Sequence, residues 1–539
     1  MAQLTQAADR RTEPARAPRR ALVLIGFMGA GKSTVADELA QALGVPSLDS
    51  DRLLEERFGH PVAREFELHG EPAFRAAERE LVCGLLNDAR PGSVIALGGG
   101  SVFSDEVRRA LAPHLTILLD VDPALAWQRV QEGTRGAEPR PLAREWEAFF
   151  ALHSQRQAGY EELADAFLPA LALGGAPRVL DALSALSAAP GGTRLLWASS
   201  TSGDYPVLIG RGLLRAQSEQ ELREIWPLDR SLSRPFCVAD RVVSALYAER
   251  LGPMCGTVTV EQGERSKTLA GAELVWSELA ALGMTRADHV VALGGGVVGD
   301  LAGFCAATYQ RGVPIVHVPT TLVAQVDSAY GGKTGVDLPS AKNYVGAYHQ
   351  PAGVLVDPDL LGTLAGSELA AGWVEVLKTA LIAGGELWER VSSGEAEVTE
   401  QVIVSCVRTK LAVVAEDERD AGRRQVLNLG HTVGHAIEAA TGYARYRHGE
   451  AVGLGLLAAL RLSGLQELRR QVHELLLARG LPVSLRDASV DGVLGATAYD
   501  KKRLGSRVPF VLLDAPGRVQ IGCEVPADEV RAAVEELLP

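Results

Sequence analysis

An unbroken aliphatic run at residues 21–25 leads straight into Gly26-Phe27-Met28-Gly29-Ala30-Gly31-Lys32-Ser33, and residues 34–43 continue as an amphipathic helix pattern. This GxxxxGKS motif in a strand–loop–helix setting constrains the fold more than any other stretch. Glycines let the backbone wrap a polyphosphate, the N–H groups and helix N-terminus attract it, and Lys32 adds a fixed charge. Gly29, Ala30, Gly31, Lys32, Ser33 and Thr34 are therefore the expected nucleotide-binding residues. Ser33 is placed to ligate the Mg²⁺ that accompanies ATP.

The loop is silent on the acceptor, which must be read from residues further along the chain. Residues 45–48 read as a second strand ending in Asp49-Ser50-Asp51, two carboxylates able to hold Mg²⁺ or orient a hydroxyl. Phe74-Arg75 and Glu78 fall on a helix, where Arg75 and Glu78 are one turn apart. Residues 94–97 form another strand before Gly98, Gly99 and Gly100. Arg140 lies in a Gly/Pro/Arg-rich segment, residues 133–141, with the composition of a lid, and Arg156 opens Arg-x-x-x-Tyr on a later helix.

In this order the motifs resemble shikimate kinase over about residues 21–182. The resemblance implies a P-loop domain with a parallel sheet, like the nucleoside monophosphate kinases. It assigns Asp49 to the metal and Asp51 to the shikimate hydroxyls and catalysis. Arg75 and Arg156 would grip the shikimate carboxylate, with Gly98, Gly99 and Gly100 lining the same pocket. Arg140 would cover the phosphates, and a further lid arginine corresponds to either Arg129 or Arg135. A bidentate guanidinium suits a planar carboxylate better than lysine does. A non-catalytic nucleotide-binding module is the alternative, and intact Lys32, Asp51, Arg75, Arg140 and Arg156 argue against it.

At 539 residues the chain has room for two to four domains, and 47% hydrophobic residues with 57 glycines fit an α/β protein. A net charge of −13 argues against a general nucleic-acid or membrane binder. Six scattered cysteines without CxxC read as reduced thiols of a cytoplasmic protein. The basic residues 1–20 are expected to be a disordered tail rather than a secretory signal, because the following apolar run is short and lacks a cleavage site. No stretch is long and apolar enough for a bilayer span. Small residues and Pro-Gly-Gly at 183–194 mark a linker.

From residue 195 to 357 strands alternate with helices, the pattern of an α/β layer. A buried strand at 290–293 enters Gly294-Gly295-Gly296-Val297-Val298-Gly299-Asp300, a GxGxxG turn that lets a pyrophosphate approach the backbone. No acidic residue stands at the usual ribose distance after it. Glu264 and Lys267, Arg311, Thr320 and Thr321, and Asp327, Lys333, Lys342 and Asn343 sit among glycines and apolar residues, as in a lined pocket. After residue 357 the pattern turns helical. Glu375 and Lys378 share a face of an otherwise apolar helix, a costly arrangement unless each finds a partner. Lys410, Arg424 and Asn428 precede a stretch holding three of the chain's eleven histidines. His431 and His435, four apart, share a helix face with Glu438, and His448 heads the next apolar run. The spacing suits a metal ligand pair or two histidines satisfied by hydrogen bonds.

Together GGGVVGDLAGF, VPTTLVAQVDSAYGGKTG, WVEVLKTALI, LNLGHTVGHAIE and HGEAVGLG resemble 3-dehydroquinate synthase over residues 195–539. The resemblance implies an α/β NAD-binding domain at 195–357, a mostly helical metal and substrate domain at 358–539, and a homodimer. NAD is expected on Gly295, Gly296, Val297, Val298, Gly299, Asp300, Glu264, Lys267, Thr320, Thr321, Lys333, Lys342 and Thr363. Zn²⁺ or Co²⁺ is expected on Glu375, His431 and His448, taken from three segments. Asp327, Lys333, Lys378, Lys410, Arg424, Asn428 and His435 are the implied catalytic set. Asn343 would add a substrate contact, Arg311 would serve a partner's site, and Lys501 or Lys502 would reach the substrate. The implied reaction oxidises an alcohol of a seven-carbon keto-acid phosphate reversibly, eliminates phosphate and closes a carbocycle without net redox change. Another sugar phosphate cyclised by a related synthase is the alternative substrate, which Arg424 and the lysines disfavour because they suit a carboxylate.

Overall fold

The computed structural model describes residues 18–133, 145–169, 176–215, 218–339, 341–394, 397–497 and 509–539. The chain divides into two units. The first runs through Trp197 and also takes in Pro206–Leu208 and the helix Glu219–Ile225; the second holds the remainder.

In the first unit, β1 (Leu22–Ile25), β2 (Ser47–Asp49), β3 (Val94–Ala96), β4 (Leu115–Asp120), β5 (Ala166–Pro169) and β6 (Arg194–Ala198) lie in the order β2-β3-β1-β4-β5-β6. Every pairing is parallel, with Val23 beside Ile95 on one side and Thr116 on the other. All four residues of β1 are buried, as a central parallel strand requires with both faces covered. The helix Lys32–Leu43 buries Val35, Ala36, Leu39 and Ala40, one stripe at helical spacing, and stops at Gly44, whose N–H returns to Ala40 and Gln41.

Two boundary expectations need correction. Residues 183–188 are not linker: the helix Ala176–Ala188 continues through them and buries Leu183 and Leu186. Alanine-rich composition favours helix, and two leucines one turn apart anchor it, so only residues 189–193 separate this helix from β6. Residues 1–17 lie outside the described residues, but residues 18–20 are not disordered: Pro18 is buried and Arg19 pairs with Glu224 at 2.7 Å.

β7 (Tyr205–Ile209) straddles the division in sequence. The second unit then builds a parallel layer from β8 (Pro235–Asp240), β9 (Gly256–Val260), β10 (His289–Gly294), β11 (Ile315–Pro319) and, beyond the antiparallel hairpin β12 (Lys333–Leu338)–β13 (Ala341–Tyr348), β14 (Gly353–Val356). The order is β14-β11-β10-β8-β9, so the C-terminal ends of β8, β10 and β11 lie side by side. The chain then becomes mostly helical, apart from the hairpin β15 (Phe510–Ala515)–β16 (Arg518–Cys523). Three helices matter most: Gly366–Ala383, His431–Ala440 and His448–Leu462. They meet at glycines. A Cβ on Gly449 would overlap the carbonyl oxygen of Ala371, and one on Gly455 that of Gly430.

Candidate active sites

In the first unit the loop between β1 and its helix borders a cleft of about 390 Å³ lined by Gly29, Ala30, Gly31, Lys32, Ser33 and Thr34, with Asp49, Asp51 and Arg129 opposite. Lys32 Nζ donates to the carbonyls of Gly26 and Phe27 at 2.9 and 3.1 Å, which curls the side chain over the loop. Ser33 Oγ donates to Asp49 Oδ2 at 2.5 Å, while Asp49 Oδ1 accepts the N–H of Asp51 and Arg52 and caps the helix Ser50–Phe58. One carboxylate thus fixes both the serine and the turn carrying Asp51. A hydroxyl and a carboxylate at the head of a helix form a hard oxygen donor set that fits Mg²⁺ brought by a nucleotide.

Glu78 holds Arg75 on the acceptor side, with Arg75 NH1 2.6 Å from Glu78 Oε2. Burial pushes the Glu78 carboxyl up and nearby Arg75 opposes that rise. Gly100 permits the approach, because a Cβ there would overlap the Arg75 guanidinium. Arg156 reaches toward the Gly99 carbonyl at 3.5 Å and lies over the Phe103 ring. Tyr160 donates to the same carbonyl, and burial pushes its hydroxyl up to about 12. Two arginines and the Gly98–Gly100 backbone are therefore gathered beside Asp51, whose carboxylate a Cβ on Gly98 would strike. Arg129 points NH1 at Gly29 and Ala30 carbonyls at 3.4 and 3.5 Å, which places it at the cleft, whereas Arg135 and Arg140 lie outside the described residues.

In the second unit a cavity of about 1190 Å³ opens at the C-terminal ends of β8, β10 and β11, where open parallel sheets take ligands. Gly295, Gly296, Val297, Val298, Asp300, Thr320, Thr321, Asp327, Lys342, Asn343, Thr363, Glu264, Lys267, His435 and His448 all line it. Gly296 begins a 13-residue helix whose N-terminus faces this space. Lys267 is buried against Asp300 at 2.6 Å; burial pulls its ammonium down, and Asp300, Glu264 and Asp337 together more than restore it. Thr320 Oγ1 and Ser328 Oγ are buried with no protein partner, hydroxyls that a bound ligand would satisfy. Gly299 instead packs toward His317. Sequence reasoning found no acidic residue at the ribose distance. The structure places Asp240 at the end of β8, the strand that pairs with β10 beside the glycine turn, where it caps the helix Arg241–Tyr247 and lines the cavity. Strand adjacency carries that signal; sequence distance does not.

Deeper in lies a cluster of charges. Glu375 is fully buried, with Oε2 2.6 Å from Lys378 Nζ and Oε1 3.7 and 3.3 Å from Nε2 of His431 and His448. Neither carboxylate oxygen completes a hydrogen bond of ordinary geometry, despite these short approaches. Burial pushes Glu375 up, but Lys378 and the two histidines hold it well below the usual carboxylate range. Ligand atoms of Glu375, His431 and His448 lie within 4.8 Å of one another. One carboxylate and two imidazoles with unsatisfied oxygens fit a divalent metal that keeps open positions. Lys410 Nζ lies 2.6 Å from Asp327 Oδ1; burial draws this lysine down to about 8 while Asp327 opposes, and Asp327 itself, against burial, is held at about 2 by Lys378 and Lys410.

Arg424 is 2% exposed and donates to the carbonyls of Glu418 and Gly331 at 2.6 and 2.9 Å, leaving Nε buried without a partner. A buried guanidinium with an orphan donor suits an anion. Lys333 is half-exposed and paired with Asp420, and Asn428 is half-buried at the end of the turn Arg423–Asn428. Lys333, Lys378, Lys410, Arg424 and Asn428 do not line the large cavity. Arg311 is exposed in the left-handed region at φ 68°, away from the cavity, and Lys501 and Lys502 lie outside the described residues.

The fold and sites define two classes of enzyme in one chain. One is a P-loop kinase for a small carboxylated acceptor, and the other an α/β and helical enzyme with a glycine-turn cleft beside a carboxylate–imidazole metal cluster. Residues 257–371 and 372–503 match the family models of the 3-dehydroquinate synthase N-terminal and C-terminal parts, and residues 28–171 that of shikimate kinase. The 3-dehydroquinate synthase of Gloeobacter violaceus is 42% identical over 351 residues, covering 62% of this chain and 96% of that protein. The chain belongs to the 3-dehydroquinate synthase family and carries a shikimate kinase domain ahead of it. Among solved structures, 2-epi-5-epi-valiolone synthase from Streptomyces hygroscopicus subsp. jinggangensis, with NAD⁺ and Zn²⁺ bound, is 26% identical with a TM-score of 0.56 over 63% of this chain and 98% of that one. A 2-deoxy-scyllo-inosose synthase complexed with carbaglucose-6-phosphate, NAD⁺ and Co²⁺ shares the fold at 24% identity and a TM-score of 0.57, over 64% of this chain and all of that one. Among the described residues no helix is long and apolar enough to cross a membrane.

Proposed function

We propose that this chain catalyses two steps of aromatic biosynthesis: ATP-dependent 3-phosphorylation of shikimate, and conversion of 3-deoxy-arabino-heptulosonate 7-phosphate to 3-dehydroquinate and phosphate. The division between the activities falls within residues 189–193, where the chain leaves the last helix of the kinase. The observation that carries the kinase reading is the convergence of Lys32, Ser33 and Asp51 on one cleft with Arg75 and Arg156 gathered beside it. Lys32 and the loop N–H groups bind the phosphates, Asp51 orients the acceptor hydroxyl, and the two arginines hold the carboxylate.

The synthase reading is carried by Glu375, a buried carboxylate facing two imidazoles with no completed hydrogen bond. When bound, a divalent ion, Zn²⁺ or Co²⁺, supplies Lewis acidity and NAD supplies a reversible hydride acceptor. The protein's own groups do the rest. Thr320, Thr321, Lys267 and Asp300 orient the dinucleotide at the glycine turn. Arg424 holds the carboxylate with its spare donor, which favours a keto-acid over a neutral sugar phosphate. Asp327 and Lys410, 2.6 Å apart, keep a proton between them at the rim of the metal cluster. Arg311, exposed and strained at φ 68°, is free to serve a second copy, and a homodimer follows from that assignment. Free cysteines at all six positions support a reducing, cytoplasmic setting.

Two assays on the whole chain test the proposal: ATP, Mg²⁺ and shikimate in one, the heptulosonate phosphate with NAD⁺ and metal in the other. Each should give turnover. Folded protein inactive in either assay removes that half of the assignment.

A further inference from the structure

Glu438 has no part in either ligand set above. It stands two turns along its helix from His431 and one turn from His435, on the same face. It is 4% exposed, on a cavity wall where its neighbours along the chain are Ala436, Ala439 and Ala440, with His435 and Tyr443 beyond them. Oε2 lies 3.4 Å from His448 Nδ1, and Oε1 lies 3.6 Å from Lys342 Nζ. The other nitrogen of His448, Nε2, is the one that faces Glu375 at 3.3 Å. An imidazole has two nitrogens, so a carboxylate on Nδ1 fixes the tautomer and turns Nε2 toward a metal. Lys342, for its part, lines the glycine-turn cavity, sits over the Tyr443 ring at 4.6 Å and comes within 4.0 Å of Glu264.

We propose that Glu438 is a positioning residue with two ends: one oxygen holds His448 in register for the metal, and the other holds Lys342 at the dinucleotide side. Each ligand then orders the same carboxylate, so NAD⁺ and the metal tighten each other's binding. The inference rests on Glu375, His431 and His448 being the metal ligands. It goes beyond that reading in giving a fourth side chain control over both affinities.

The test uses the full chain stripped of metal by a chelator and titrated with Co²⁺, read by visible absorption and calorimetry, with and without NAD⁺. Wild type should bind one ion per chain, about fivefold or more tightly when NAD⁺ is present. Glu438→Gln should bind one ion about 10–100-fold more weakly, with an altered cobalt spectrum and no response to NAD⁺. Lys342→Met should keep the affinity measured without NAD⁺ and lose the tightening. Folded Glu438→Gln with wild-type affinity would overturn the inference and leave the metal assignment standing. Two ions in wild type against one in Glu438→Gln would also overturn it, by making Glu438 a ligand of a second site with His435 and His448, whose ligand atoms lie within 4.8 Å. Wild type that binds no Co²⁺ would remove the metal assignment itself. Should Glu438→Gln fail to fold, Lys342→Met decides: tightening retained refutes the link.

Discussion

The kinase cleft and the synthase charge cluster solve opposite problems. In the cleft the binding groups are mainly backbone N–H groups and side chains of one contiguous loop, and Lys32 and Ser33 stay accessible. In the cluster Glu375 and Lys378 share one helix while Asp327, Lys410 and Arg424 come from three other segments, and four of the five are under a tenth exposed. Charges so deep need partners, because an isolated one costs several kcal/mol. A phosphate site can therefore be cut into a loop with little consequence for the fold, whereas the metal site is part of what holds its unit together.

Removing Glu375 should give the largest effect. Glu375→Ala leaves Lys378 buried without its closest counter-charge, so metal binding should vanish and stability fall by about 3–5 kcal/mol. Chemical denaturation of the metal-free variant checks this, and an unchanged midpoint would erase the contrast. Lys32→Met should be the reverse case. Phosphoryl transfer should drop roughly 10²–10³-fold with the melting curve of the protein unmoved; a coincident loss of stability would show the loop to be structural.

The two helical histidines carry the contrast inside the synthase unit. His431→Ala should lose bound metal by direct elemental analysis. His435→Ala should retain it while turnover falls about 10²–10⁴-fold, the range for a lost proton-transfer partner. Equal metal loss in both would shift the ligand set to the adjoining group. The smallest effect belongs to a charge with no role in either site. Asp288 accepts from Arg234 and Thr285, and although burial raises its carboxyl, these donors bring it down to about 2 from an ordinary 3.8. A depressed carboxyl stabilises the fold above pH of about 4, and that contribution disappears as the pH falls from there through about 2. Asp288→Asn should cost roughly 1–3 kcal/mol at pH 7 and progressively less toward pH 2, measured by thermal melts across that range.

Much of the architecture and of both sites is legible in the residues alone. The two glycine turns, read with their flanking strand and helix, fall where expected, and Glu375, His431 and His448 do converge. The rest is set by tertiary neighbours. Asp240 meets the glycine turn only because β8 pairs with β10 in register Ala239 to Leu293. Residues 183–188 look like linker because of their small residues, yet Leu183 and Leu186 continue the buried face that Val179 and Leu180 begin on the same helix. Burial also stays invisible in sequence: Lys378, Lys410 and Arg424 are each under a tenth exposed, and each is engaged by a carboxylate or a carbonyl of its own unit.

The contact of Gly449 with the Ala371 carbonyl acts as a gauge block. Because backbone rests on backbone there, the gap between the Glu375 helix and the His448 helix is set by a stop with no rotatable bond. Side chains around the metal cluster can change rotamer without altering that gap. A single methyl group at position 449 would wedge it open, so the spacing between the helices of Glu375 and His448 is machined by an atom that is missing rather than by any that is present.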